Sequence, residues 1–570
     1  MRKTASASFC RYGGFFVNAP PARTKSLPVS RTFTDALERA AACRTAPAVW
    51  DGGRWRTWRD CLDQAERTAA ALHRRGVGGG DVLAVALPNS WELVVLHAAA
   101  ARLGILLLPL HSAYGTRETQ RLIERSGAVA LAAAAVRRGE DRSEEIVSLR
   151  ERCAGLRHLW VSHAAAARPG ADGPRDLAEL FDEEADPGVR LPPAPTDPRA
   201  PLVLLASSGT TSQRPKLCAH SHGGLLGNAA AVAADGGFGA ADTIVSASPL
   251  SHAFGLLSVH LALVTGGAVG LFDGWEPGRF AAALDAVGAT TAFAVPAQLR
   301  DLLTLPAYDT GTRSPTLREV RTGGAPVPRE LAEEVRRTFG AHLVVQWGMT
   351  EVGAGTYTRV GDPPEAVGTI GRPAAGAEVR IRRRDGEPAA PGETGELQYR
   401  SPFMFSGYYL DPELTRAALT PDGWLRTGDR AALEPDGSVV YRGRADEMIN
   451  RGGLKYSALE VEELLSDLPQ LAQHAVVARA DPRLGQRSCL VVALRRGERV
   501  TLDDITSHLV AKGLATYKLP EQLVVVDQLP TTVTGKTARA RLRAIPLPPL
   551  PARPPGRAAA LRPGGAEAAR

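Results

Sequence analysis

The sequence predicts an α/β protein: a large N-terminal domain of several sheets followed by a small α+β C-terminal domain. Three observations lead there. The 570 residues exceed what one typical domain holds. Apolar strand-like runs, "DVLAVALP" (81–88), "PLVLLASS" (201–208), "HLVVQW" (342–347) and "QLVVVDQLP" (522–530), alternate with helical stretches such as 35–75 and 329–338. That alternation is the signature of strands and helices interleaved along the chain. Near residue 443 the texture changes, as turn-rich "EPDGSVVYRGRADEMINRGG" leads into a helix predicted at about 458–468 and then strand–helix–strand material.

From the N-terminus, residues 1–28 read as an irregular, Pro-containing arm, 29–442 as the large domain and 443–543 as the small one. Residues 544–570 are rich in Pro, Ala and Arg, a composition that cannot build a core, and they are expected to be a disordered tail. Two apolar runs, 93–110 and 255–272, need testing as membrane spans. The first holds His97, Arg102 and Pro109, and a central Arg costs about 2.5–3.5 kcal/mol to insert. The second holds His260 and a Gly266-Gly267 break. Both read as a buried helix followed by a strand, so no membrane span is expected. The N-terminus lacks the apolar stretch of a signal peptide.

The formal charge is +7, but Arg is spread along the chain and concentrated near its end, with no basic stripe interleaved with aromatics. A nucleic-acid partner is therefore not expected. The six cysteines show no C-x-x-C and no metal-ligand spacing, as for reduced thiols in a cytoplasmic protein. Of 68 basic residues only seven are lysine, at 3, 25, 216, 455, 512, 518 and 536. Arg and Lys interchange on a solvated surface but not where a compact ammonium must fit a tight polar site. A chain that uses Arg by default thus flags its internal lysines for chemistry.

An apolar strand runs into Ser207-Ser208-Gly209-Thr210-Thr211, then a turn, then Lys216. Backbone N–H groups and hydroxyls in such a loop can wrap a polyphosphate, and the lysine adds positive charge. An ordinary Ser/Thr/Gly surface loop has the same composition. A rival stands at 530–537, "PTTVTGKT", where Pro530 replaces the first Gly of G-x-x-x-x-G-K-[ST]. Pro fixes φ where that turn needs freedom, and no βαβ unit follows, so a P-loop NTPase is rejected. Gly237-Phe238-Gly239 does not complete G-x-G-x-x-G either.

Taken in order, residues 35–543 resemble the adenylate-forming superfamily of acyl- and aryl-CoA ligases, stand-alone adenylation domains and luciferase-like enzymes. The resemblance is carried by "SSGTTSQRPK" (207–216), "SPLSHAFGL" (248–256), "GGAPVP" (323–328), "QWGMTE" (346–351), "GWLRTGDRAAL" (423–433), "YRGRADEMINRGGLKYSALEVE" (441–462) and "YKLPEQLVVVDQLPTTVTGKTAR" (517–539). Lysines 216, 455, 518 and 536 all fall inside these segments.

The resemblance implies roles. Ser208, Gly209, Thr210, Thr211 and Lys216 would hold the β- and γ-phosphates of ATP. His252 would sit between the acid pocket and the ATP site. Gly324, Ala325 and Pro326 would line the adenine and Trp347 would stack on it. Thr350 would bond the α-phosphate, and Glu351 would hold Mg²⁺ through a hard oxygen ligand. Asp429 would accept the ribose hydroxyls, and Arg444 would lie at the ribose or phosphates. Asp446 would be the inter-domain hinge, and Lys536 the catalytic lysine. Gly452 and Gly453, with Lys455 beside them, would admit the pantetheine arm of CoA or of a carrier protein's phosphopantetheine. The small domain is then mobile: it brings Lys536 to the adenylation step and rotates about Asp446 to present Gly452-Gly453 to a thiol.

One departure stands out. Most relatives read S-G-T-T-G-x-P-K, whereas Ser208–Lys216 carries one extra residue and lacks the second Gly. Thr537 stands after the lysine where an aliphatic is usual. The expected pocket, around His252, 291–298, 323–325 and 348–354, is small and mostly apolar. No Asp stands within 248–258 to pair with a substrate amine, which favours an aromatic or medium-chain aliphatic acid over an α-amino acid. No G-x-D-S carrier motif occurs, so the acceptor is free CoA or a separate carrier protein. Three readings stay open: an acyl- or aryl-CoA ligase, which is favoured; a stand-alone adenylation enzyme serving natural-product biosynthesis; and a non-thioester fate or inactive nucleotide-binding module. Monomer and homodimer are both compatible with the residues.

Overall fold

The computed structural model describes residues 31–530 and Leu542, apart from 44, 112–113, 138, 163–173, 183–188, 208–214, 306–313, 325–326, 328, 445–447 and 466. Two large sheets dominate the N-terminal part. In the nine-stranded sheet the neighbouring strands 49–51, 268–271, 243–246, 291–293, 319–323 and 342–349 are parallel. In the eight-stranded sheet, 201–207, 106–109, 82–86, 130–134, 158–162 and 175–176 are parallel. The hairpin strand Lys216–Ser221 and the short strand Gly407–Tyr408 extend this sheet antiparallel.

Helices Trp91–Leu103, His222–Gly236 and Ala253–Thr265 contribute to one apolar cluster that also takes residues from both sheets, so they form the layer between them. Being covered on most sides, Trp91–Leu103 and Ala253–Thr265 are predominantly apolar rather than amphipathic. Each outer sheet face has its own helices: Thr116–Ser126 and Ser143–Arg152 on one, Pro277–Ala286, Pro296–Leu303 and Arg329–Phe339 on the other. Burial on both faces is why the parallel strands read as unbroken apolar runs.

The runs at 93–110 and 255–272 are, as expected, helix followed by strand. Among the described residues no helix is long and apolar enough to cross a membrane. The stretch 35–75 departs from its helical expectation. It holds two helices, Phe33–Ala40 and Trp58–Arg74, separated by the hairpin Val49–Asp51 and Arg54–Arg56. Gly52 (φ +58°) and Gly53 (φ +97°) make its two-residue turn, which needs left-handed backbone at both positions.

A third, antiparallel sheet (378–382, 395–400, 425–433, 439–444) closes the large domain. The smaller C-terminal domain has its own sheet of 448–451, 454–457, 471–481, 485–494 and 522–525. Helices Ala458–Leu465 and Leu502–Ala511 cover one face of it.

Candidate active site

The site lies where strand ends of the two large sheets meet the third sheet and the C-terminal domain. Lys216 opens the strand Lys216–Ser221, and its Nζ lies 5.5 Å from the Tyr408 ring centroid. The Tyr408 hydroxyl donates to Glu351 Oε1 at 2.8 Å. Glu351 is 4% exposed, just beyond the nine-stranded sheet's strand His342–Met349. Tyr408 thus joins a cation from one sheet to a carboxylate next to the other.

Two further side chains fix that junction. His220 Nε2 donates to the Thr350 carbonyl at 2.7 Å. Asn228 grips Ala354 twice, accepting from its N–H at 3.0 Å and donating to its carbonyl at 2.8 Å. The turn between them is tight: a Cβ on Gly348 would lie 2.0 Å from the Gly353 carbonyl. Any side chain there would push Thr350 and Glu351 out of place.

Trp347 and Asp429 come together. The indole N–H donates to Asp429 Oδ2 at 2.9 Å, and both residues are buried. Trp347 also packs on Tyr399, with ring centroids 5.9 Å apart. Asp429 and Arg444 are cross-strand partners in the third sheet. Gly323 ends its strand against the Gln346 carbonyl, where a Cβ would approach to 2.3 Å, and Gly324 turns away with φ +81°.

His252 caps the helix Ala253–Thr265 with extended backbone. Its Nε2 is buried with no hydrogen-bond partner, and its ring stands 4.8 Å from that of His111. Burial lowers its pKa to about 4, so the imidazole is neutral near pH 7. Phe254, half-buried, stacks on the buried Phe293 with ring centroids 5.1 Å apart.

The C-terminal domain reaches the same place. Gly452 (φ +58°) and Gly453 (φ +90°) make the turn of the hairpin 448–457. A Cβ on Gly453 would lie 3.1 Å from Val295 Cγ1, and one on Gly324 would lie 3.8 Å from the Gly453 Cα. Asn450 Nδ2 donates to the Gly324 carbonyl across the boundary. Lys455 is the cross-strand partner of Asn450 on the hairpin.

Of the residues singled out from sequence, Ser208, Gly209, Thr210, Thr211, Ala325, Pro326, Asp446 and Lys536 lie outside the described residues, and of Arg444 only the backbone is described. Lys216 and Glu351 meet through Tyr408, Trp347 meets Asp429, and Gly324 meets Gly453. Thr350 is held by His220, His252 stands beside His111, and Lys455 sits on the hairpin that Gly452 and Gly453 turn. Lys518 does not join the phosphate side; it is paired with Glu460 and Glu118. Tyr408, Asn228, His111 and His220 escaped the sequence reading. Gly407 before Tyr408 (φ +137°) hints at a constrained turn, but nothing local points Tyr408 at Glu351.

Comparison with known proteins agrees with this geometry. The family model "AMP-binding enzyme" matches residues 37–409, and "AMP-binding enzyme C-terminal domain" matches 460–536. A salicylyl-CoA synthase / salicylate adenylyltransferase of a Streptomyces species is 36% identical, covering 87% of this chain and 90% of its own length. A salicyl-AMP ligase / salicyl-S-ArCP synthetase of Mycobacterium tuberculosis is 35% identical, covering 83% of each chain. The amide bond synthetase McbA from Marinactinospora thermotolerans superposes with a TM-score of 0.80 at 27% identity, over 89% of this chain and 99% of its own. The chain belongs to the AMP-binding, adenylate-forming enzymes, and the expected α/β architecture of a large multi-sheet domain with a smaller C-terminal one is borne out.

Proposed function

We propose that this AMP-binding enzyme activates an aryl carboxylic acid with ATP, giving aryl-AMP and pyrophosphate, and then passes the aroyl group to the thiol of CoA. One observation carries the reading: Lys216 and Glu351 meet on Tyr408 while Gly453 of the other domain seats against Gly324 and Val295. The two sets are linked through adjacent strands, since Gly323 pairs with Gln346, five positions before Glu351, which supports reading them as parts of one site.

In the first step a substrate carboxylate oxygen attacks the α-phosphorus, and the bond to the bridging oxygen breaks as pyrophosphate leaves with the electron pair. Lys216, with the 208–211 loop, neutralises the departing phosphates, and Lys536 the α-phosphate. Thr350 bonds the α-phosphate. Asp429 and Arg444 take the ribose. Trp347, Gly324, Ala325 and Pro326 line the adenine. The Trp347 N–H is committed to Asp429, so the base meets its ring and not a donor. A buried carboxylate beside substrate phosphates is the donor set a hard cation uses, and Glu351 fits Mg²⁺ in that sense. Bound there, Mg²⁺ supplies charge neutralisation at the phosphates.

In the second step the thiol sulfur attacks the acyl carbon and gives its proton to solvent, and the acyl C–O bond breaks to release AMP with the electron pair. The turn Gly452-Gly453 lines the approach of the pantetheine arm. His252, neutral and with a free Nε2, can orient the acyl group without placing a charge beside it. The half-buried Phe254, backed by Phe293, suits a planar acid, and residues 248–258 hold no carboxylate for an amine. Two relatives at 36% and 35% identity are named for salicylate.

Acid-dependent pyrophosphate exchange across a library of acids tests this. Aryl acids should lead. Exchange with no acid, or with α-amino acids alone, sinks the reading. Product analysis with CoA should yield the aroyl-CoA. Turnover only with a carrier protein, as the Mycobacterium relative's name describes, would move the acceptor and leave the activation step standing.

A further inference from the structure

Lys518, a lysine of the shared segments, is held by two carboxylates. It ends the short helical turn Thr516–Lys518 in the C-terminal domain and is 5% exposed. Its Nζ donates to Glu460 Oε1 and Oε2 at 2.9 and 3.0 Å, and lies 3.1 Å from Glu118 Oε1. Glu460 stands on Ala458–Leu465 of the same domain, whereas Glu118 stands on Thr116–Ser126 of the large domain. One ammonium therefore bridges a carboxylate that travels with it and one that does not.

Glu118 is committed to both sides of the boundary. Its Oε2 accepts from Gly115 N–H at 2.8 Å, capping its own helix, and its Oε1 accepts from Ala515 N–H at 3.2 Å. Two glycines let the backbones close around it. A Cβ on Gly115 would lie 2.5 Å from the Gly513 carbonyl, and one on Gly513 (φ +76°) would lie 2.9 Å from Arg117 Cβ. The same seating brings the Tyr517 ring to 6.4 Å from His111, which stands 4.8 Å from His252.

We propose that Glu118 is a positioning residue for the thiol-transfer step: by binding Lys518 and Ala515 it latches the C-terminal domain in the orientation that holds Gly452-Gly453 at Gly324 and Val295. This rests on the two-step reading above. The charge arrangement makes the latch reversible. When the domain leaves, Lys518 keeps Glu460 as partner, Glu118 keeps its helix cap, and water replaces the remaining bonds. Neither charge is stranded in the core, which would otherwise forbid release. The triad holds one surplus negative charge, which the Gly115 and Ala515 N–H groups and the N-terminus of helix Thr116–Ser126 offset.

Glu118→Gln tests the latch, since Gln at that helix position keeps the cap and the volume while removing the charge. Aroyl transfer from supplied aroyl-AMP to CoA should slow about tenfold or more, with pyrophosphate exchange within about threefold of wild type or faster. Glu118→Asp, which keeps the charge, should recover part of the transfer rate. Hydrogen exchange of the peptide spanning 513–519 should speed up in Glu118→Gln, because Ala515 N–H loses an ionic acceptor. With the wild type active, an unchanged transfer rate, or an equal loss of both half-reactions, overturns the latch alone. A wild type inert toward every acid overturns the functional reading and takes the latch with it.

Discussion

The Tyr408 hydroxyl donates to Glu351 Oε1 at 2.8 Å, and its ring faces the Lys216 ammonium at 5.5 Å. Tyr408→Phe keeps the ring under Lys216 and removes the bond to the carboxylate. A hydrogen bond to a charged group contributes about 1.5–3 kcal/mol, and about 1.4 kcal/mol is a factor of ten. Pyrophosphate exchange should therefore fall about tenfold, with a stronger demand for Mg²⁺. Kinetics at several Mg²⁺ concentrations check this, and a variant indistinguishable from wild type removes Tyr408 from the site.

Lys536→Ala should abolish acid-dependent pyrophosphate exchange and largely spare thioester formation from supplied acyl-AMP. Equal loss of both half-reactions would sink the role assigned to Lys536. Arg should fail there as well, because its wide planar fork suits a tight phosphate site poorly.

Gly453→Ala should show the opposite split. The backbone there is left-handed at φ +90°, and the new Cβ would press on Val295 Cγ1 at 3.1 Å. Strain of about 1–2 kcal/mol is expected from the backbone alone. Transfer to CoA should slow about tenfold, read as a raised KM for CoA, with pyrophosphate exchange near wild type.

Stability should fall steeply on mild acidification. Burial holds His220, His222 and His252 to pKa values of about 4 and His260 to about 3, and pushes His97 well below its usual range. His97 and His260 face each other through Nε2 atoms 2.9 Å apart, which requires one donor and one acceptor. The unfolded chain takes up these protons near pH 6.5, the ordinary histidine value. Stability is thus full above about pH 6.5 and is lost as pH falls toward 4. Thermal unfolding at pH 7.5, 6 and 5 should give a Tm that drops at each step, and a flat profile would contradict it.

Much of this protein is legible in its sequence. The fold class follows from apolar runs too regular for loops and too short for spans, since a strand covered on both faces must be apolar throughout. The proposed site roles rest on the family resemblance carried by segments in their order, such as Trp347-Gly348-Met349-Thr350-Glu351, and on lysines surviving in an Arg-rich chain. The departure at 35–75 is also local: Gly52 and Gly53 take left-handed backbone and turn a hairpin between the two helices.

What the tertiary structure alone decided is which side chains support that chemistry. Tyr408 meets Glu351 across 57 positions, and Ala515 meets Glu118 across 397. Local periodicity carries no trace of such pairs, because they exist only once separate sheets and domains are packed. The same holds for Lys518. Its sequence neighbourhood matches the segment that ends in Lys536, yet its ammonium is spent on holding two domains together. Residue type told where a compact charge was wanted; only packing told what it was wanted for.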